Sequence, residues 1–130
     1  MQVKEIMKKA ITISKKATIK ESATIMSKQE IGSLVVAEKN IFFGIVTGHD
    51  IVKHIAKSNN LNEKINKIMS KNAVTTVTIN PEATLEEAAS LMHEQKIRRL
   101  PVVEKNRLLG IITAADIVEN ADSIDAPFFF

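Results

Sequence analysis

Cysteine, tryptophan and tyrosine are missing from the 130 residues. Without cysteine there is no disulfide framework, no thiolate zinc site and no cysteine nucleophile, and the composition fits a reducing interior. Aromatic residues make up only 4% of the chain, so its core must be built from Ile, Val, Leu, Ala and Met. No apolar run approaches the roughly 18 residues of a membrane span. Met1-Gln2-Val3-Lys4-Glu5 offers no apolar segment of signal-peptide length. The expected location is therefore the cytoplasm, with no membrane partner. Arginine is also scarce: only Arg98, Arg99 and Arg107 occur, two of them adjacent.

What is present suits one domain of ordinary size: 45% of the residues are hydrophobic, and 18 basic residues against 15 acidic ones leave a net charge of +3. Mixed signs at this density describe a solvated surface. A pI near 9.2 without a basic stripe is a weak argument for nucleic-acid binding.

The strongest signal is an internal repeat. Gly44-Ile-Val-Thr-Gly-His-Asp-Ile-Val52 returns as Gly110-Ile-Ile-Thr-Ala-Ala-Asp-Ile-Val118, at an offset of 66. The same offset aligns Thr12-Ile13 with Thr78-Ile79, Ala17-Thr18 with Ala83-Thr84, and Glu38-Lys39-Asn40 with Glu104-Lys105-Asn106. Nearer the start it drops to 62, pairing Ile6-Met7 with Ile68-Met69, so four extra residues belong between about Ser70 and Val77. A lone copy buries too little surface to be comfortable. Two copies packed together, related by a pseudo-two-fold axis, solve that and predict two related clefts.

Each copy reads β-α-β-β-α, a mixed α/β (α+β) unit. Ile11-Thr12-Ile13 is a short strand. Thr18-Ile-Lys-Glu21 and Thr84-Leu-Glu-Glu87 are capping boxes opening helices whose apolar residues recur at helical spacing. Leu34-Val35-Val36 is a buried strand, Asn40 a turn residue tolerant of positive φ, and Ile41 to Val46 the returning strand. Thr47 and Asp50 then open a second helix. The expected organisation is copy one over 1–58, a junction over 59–64, copy two over 65–120 and a tail over 121–130.

The paired Gly-x-x-Thr-x-x-Asp-Ile-Val runs, each after an apolar hairpin, resemble the cystathionine β-synthase motif, the CBS domain, which normally occurs in tandem. Leu100-Pro101-Val102-Val103 is similar to that family's middle strand; the first copy departs, with Val35 where Pro101 stands. The resemblance runs from about Val3 to Val118. It implies two CBS motifs forming one pseudo-symmetric domain that acts as a regulatory sensor. Such pairs hold AMP, ADP, ATP or S-adenosylmethionine in clefts between the copies, associate as dimers and act on another protein, here unidentified. The adenine nucleotide is the ligand; no further cofactor and no metal is required.

The residues themselves allow this chemistry. An ionised aspartate accepts hydrogen bonds from vicinal ribose hydroxyls, and a threonine at a strand-to-helix corner places its hydroxyl beside free helix N–H groups. Asp50 and Asp116 are the candidate ribose ligands, and Thr47 and Thr113 the hydroxyls near phosphate. Thr-x-x-Asp is equally a helix cap needing no ligand, and both readings stay open. Arg98 and Arg99 face Gly32 and Ser33 in the alignment, so the fold does not demand their charge. They suit phosphate oxygens, or a solvated pair beside Glu87 and Glu94. In the family the clefts are crossed, which implies Thr47 and Asp50 with Val77, Ile97 and one arginine, and Thr113 and Asp116 with Ile11, Ile31, Gly32 and Ser33. The arginine-bearing cleft would then be the better one for phosphate.

No catalytic constellation is legible. His49 and His54 are five apart and fall on different helix faces, His93 belongs on the surface, and neither a P-loop nor Gly-x-Ser-x-Gly occurs. The expectation is a binding module and not an enzyme. A ligand-free interaction module is the rival, followed by a nucleic-acid binder. Phe128-Phe129-Phe130 would be a sticky terminus, expected to dock on the domain or on a second copy.

Overall fold

The computed structural model describes residues 1–69 and 77–123. In chain order it holds α1 (Val3–Ile6), β1 (Thr12–Ile13), α2 (Ile19–Gln29), β2 (Ser33–Glu38), β3 (Ile41–Thr47), α3 (Gly48–Ile55), a 3-10 turn (Ile65–Lys67), α4 (Leu85–Gln95), β4 (Arg99–Glu104), β5 (Arg107–Thr113), α5 (Ala114–Glu119) and a second 3-10 turn (Ala121–Ser123). The fold is mixed α+β. The Phe128–Phe130 tail and nearly all of the expected insertion lie outside the described residues.

Two compact units emerge, one of residues 11–69 and one of residues 1–10 with 77–123. They are not the two sequence repeats. The segment leading into each copy packs in the other copy's unit. Val3, fully buried, joins Leu85, Leu100 and Ile112, while Ile65, also fully buried, joins Ile19, Leu34 and Val46. The backbone bonds repeat in step. Val3 N–H donates to Ala83 O at 2.8 Å, and Ile65 N–H to Ala17 O at 2.9 Å. Leu85 N–H donates to Met1 O at 3.2 Å, and Ile19 N–H to Glu63 O at 2.9 Å. The change of offset from 66 to 62 thus coincides with the chain's passage from one unit to the other.

Both hairpins turn on two residues at positive φ, Lys39 (49°) with Asn40 (67°) and Lys105 (51°) with Asn106 (65°). Two such residues in succession match the twist of the flanking strands. Both also carry a register shift at the same place, Val36/Ala37 and Val102/Val103. The units differ at the first strand. In the first-copy unit β1 runs parallel to β2, and Val35 N–H donates to Ile11 O at 3.3 Å. At the aligned position Pro101 has no N–H to donate. The expected strand around Ile79 is accordingly reduced to a single parallel bridge with Val102.

The capping boxes form as the sequence predicts on α2, where Thr18 Oγ1 accepts from Glu21 N–H at 3.1 Å and the Glu21 carboxylate accepts from Thr18 N–H at 3.4 Å. On α4 only half forms. Thr84 Oγ1 accepts from Glu87 N–H at 3.1 Å, without the return bond to the Glu87 carboxylate. Both capping threonines are bridged by a lead segment, Thr84 by Gln2 and Thr18 by Lys64.

Candidate functional site

Each β-hairpin ends in a corner where the strand becomes a helix. At the first, Thr47 Oγ1 accepts from Asp50 N–H at 3.1 Å and Asp50 Oδ2 accepts from Thr47 N–H at 2.9 Å. At the second, Thr113 Oγ1 accepts from Asp116 N–H at 3.2 Å and Asp116 Oδ2 from Thr113 N–H at 2.8 Å. Both Thr-x-x-Asp runs are therefore complete capping boxes. One carboxylate oxygen of each aspartate is committed to the helix start, leaving Oδ1 for any other partner.

The two Oδ1 atoms are treated differently. Asp116 is 3% exposed, and its Oδ1 receives the Lys8 ammonium at 2.8 Å. Lys8 also stands 3.9 Å from Glu119. Burial pushes the Asp116 carboxyl up, but the hydrogen bonds from Lys8 and Thr113, with the attraction of Lys8, outweigh it and hold the group below the ordinary aspartate value. The hydrogen bond to Asp116, its charge and that of Glu119 raise the Lys8 pKa in turn. Asp50 is half-buried, and among the described residues no cation lies within 4 Å of it.

The remaining candidates fall beside these corners, each within its own unit. Gly48 N–H donates to Gly32 O at 2.9 Å, and Ala114 N–H to Arg98 O at 2.8 Å. Ser33 pairs with Thr47 across β2 and β3, and Arg99 with Thr113 across β4 and β5. The backbone of Gly32 and of Arg98 thus does the same work, and only the arginine adds a side chain, which is exposed. Ile31 packs against the first-copy core, and Ile97 and Val77 against the second; Ile11 is exposed.

Two features escaped the sequence reading. Lys8 carries no motif, and its role depends on the lead segment lying in the second-copy unit. The other was legible: Asp50, Lys53 and His54 follow at i, i+3 and i+4 on one face of α3, with Lys57 at i+7 in the turn just beyond it. They line a cavity of about 280 Å³ with Lys67 and Ile68. His54 is nearly buried there, its Nε2 at 2.9 Å from Asn60 O and 3.4 Å from Glu63. His49 and His93 are exposed. Among the described residues no His, Asp and Glu cluster has metal-binding geometry, and no helix is long and apolar enough to cross a membrane.

Two α+β units of one architecture, each with a capped Thr-x-x-Asp corner, define a tandem-repeat protein whose repeats exchange their lead segments. The chain belongs to the CBS domain family: the family's model matches twice, over residues 3–57 and 65–123. It is 34% identical over 110 residues to the CBS domain-containing protein YhcV of Bacillus subtilis (strain 168), covering 84% of this chain and 76% of that protein. A homoserine O-acetyltransferase of Methanohalobium evestigatum is 40% identical over 109 residues, but the chain spans only 21% of that enzyme's length. Among solved structures, the CBS domain pair of protein MJ0100, in complex with 5′-methylthioadenosine and S-adenosyl-L-methionine, is 30% identical with a TM-score of 0.77, covering 94% of this chain and 96% of that one.

Proposed function

We propose that the chain is a regulatory, non-catalytic module that binds adenosine-type ligands through its two Thr-x-x-Asp corners. The observation that carries this reading is the intact corner in both copies of a chain 30% identical to a domain pair solved with two adenosine-containing ligands. Capping occupies one oxygen of each aspartate, and the other retains acceptor capacity for ribose hydroxyls. Asp50 and Asp116 take the ribose, Thr47 and Thr113 lie toward the phosphates, and Arg98 and Arg99 supply guanidinium groups to them. Ile11, Ile31, Gly32, Ser33, Val77 and Ile97 complete the proposed contact set. The motif boundaries expected from the repeat, 1–58 and 65–120, belong to the same reading, as does a location in the cytoplasm.

Equilibrium dialysis against AMP, ATP and S-adenosylmethionine tests it. Binding of at least one, weakened at least about tenfold by Asp50→Ala or Asp116→Ala, is the expected result. Binding of none of the three would leave the alternative, a ligand-free interaction module.

We also propose a homodimer. It is supported by Val52 and Ile55 on α3 and Val118 on α5, 63%, 48% and 62% exposed. Val52 and Val118 are the same position in the two copies. Sedimentation equilibrium checks this: wild type should run as a dimer, and Val52→Asp with Val118→Asp as a monomer.

A further inference from the structure

The helices that follow the two corners differ in charge. Around Asp50 stand Lys53, Lys57 and Lys67, three ammonium groups against the carboxylates of Asp50 and Glu63. Beside Asp116 stand Lys8 and Glu119, with Arg98 and Arg99 at the entry to β4 next to the same corner. The offset of 66 places Glu119 where Lys53 stands and Ser123 where Lys57 stands. Since α3 and α5 are copies of one element, folding does not require Lys53. Lys67 leans on Glu63 at 3.6 Å, whereas among the described residues no carboxylate lies within 4 Å of Lys53 or Lys57.

From these observations we infer that the Asp50 face of α3 is a polyphosphate-binding surface. Under the adenosine reading, on which the identity of the ligand rests, it takes the β- and γ-phosphates of a nucleoside di- or triphosphate whose ribose sits on Asp50. Helical rise puts Lys53 about 4.5 Å along the axis from Asp50, and Lys57 lies in the turn just past the end of α3. A chain of two or three phosphates can reach from Asp50 to both ammonium groups. The cavity they line is open to solvent, so the charged chain need not be fully desolvated. Ammonium groups suit this task as movable point charges along a flexible anion. The Asp116 corner, with Glu119 in place of Lys53 and its Oδ1 already held by Lys8, lacks this row of lysines.

Calorimetric titration of the full chain with adenosine, AMP, ATP and inorganic tripolyphosphate tests this. The variants are Lys53→Glu with Lys57→Ala, and Lys39→Ala in the β2–β3 turn as a control. The double variant should lose tripolyphosphate binding and at least about tenfold in ATP affinity, with adenosine unchanged. Unaltered ATP and tripolyphosphate binding in that variant, or a parallel loss of adenosine, overturns the inference while the nucleotide reading stands. Wild-type binding of tripolyphosphate through Lys53 and Lys57, with no adenosine compound bound, has the reverse effect.

Discussion

Asp116 is nearly inaccessible yet holds a charge, because two donors converge on its carboxylate: the Thr113 N–H and the Lys8 ammonium. Its carboxyl binds a proton less readily in the folded chain than in the unfolded one. The unfolded state therefore takes up more protons as the pH falls through the acidic range. Asp116 contributes stability above its ordinary pKa of about 4, and that contribution is lost on acidification. Thermal melts between about pH 5 and pH 2 should fall more steeply for wild type than for Asp116→Asn, which keeps an acceptor for the cap. For Lys8 the sign is reversed. Its raised pKa contributes stability below the ordinary lysine value, lost only as the solution becomes strongly alkaline. Thr47→Ala and Thr113→Ala should each cost about 1 kcal/mol in urea unfolding, recovered by serine.

At the level of elements, the exchanged lead segments organise the molecule. The chain from Met7 to Lys8 reaches the second-copy unit at Gly110. A Cβ built at Gly110 would stand 2.8 Å from Lys8 O and 3.1 Å from Met7 Sδ. Lys8 and Ile111 exchange backbone bonds of 2.9 and 2.8 Å at that point. Gly110→Ala should therefore destabilise by about 1–3 kcal/mol in urea unfolding, since the obstruction is backbone and cannot rotate away. Ile65→Ala, which empties a fully buried site, should cost about 2–5 kcal/mol. Hydrogen exchange assigns the damage: Ile65→Ala should lower protection first in α2 and β2, and Val3→Ala first in α4 and β4. Equal loss in both units would contradict the exchange of segments.

For the whole chain, the sequence determined a great deal. The repeat, both hairpin turns and both Thr-x-x-Asp corners follow from local pattern and are found where their residues predict, as is the β-α-β-β-α order except for the first strand of the second copy. Local patterns are legible because turns, caps and strand alternation are set by residues adjacent in the chain. The spacing of Lys53 and Lys57 after Asp50 was equally available from the sequence, but only the structure brings Lys67 to the same cavity. Three further things only the tertiary structure decided. The lead segments belong to the opposite unit, Lys8 occupies Asp116, and Pro101 shortens one strand pairing to a single bridge. The first two are contacts between residues far apart in sequence, for which no spacing rule exists. The third turns on one missing N–H, whose effect depends on which chain runs alongside.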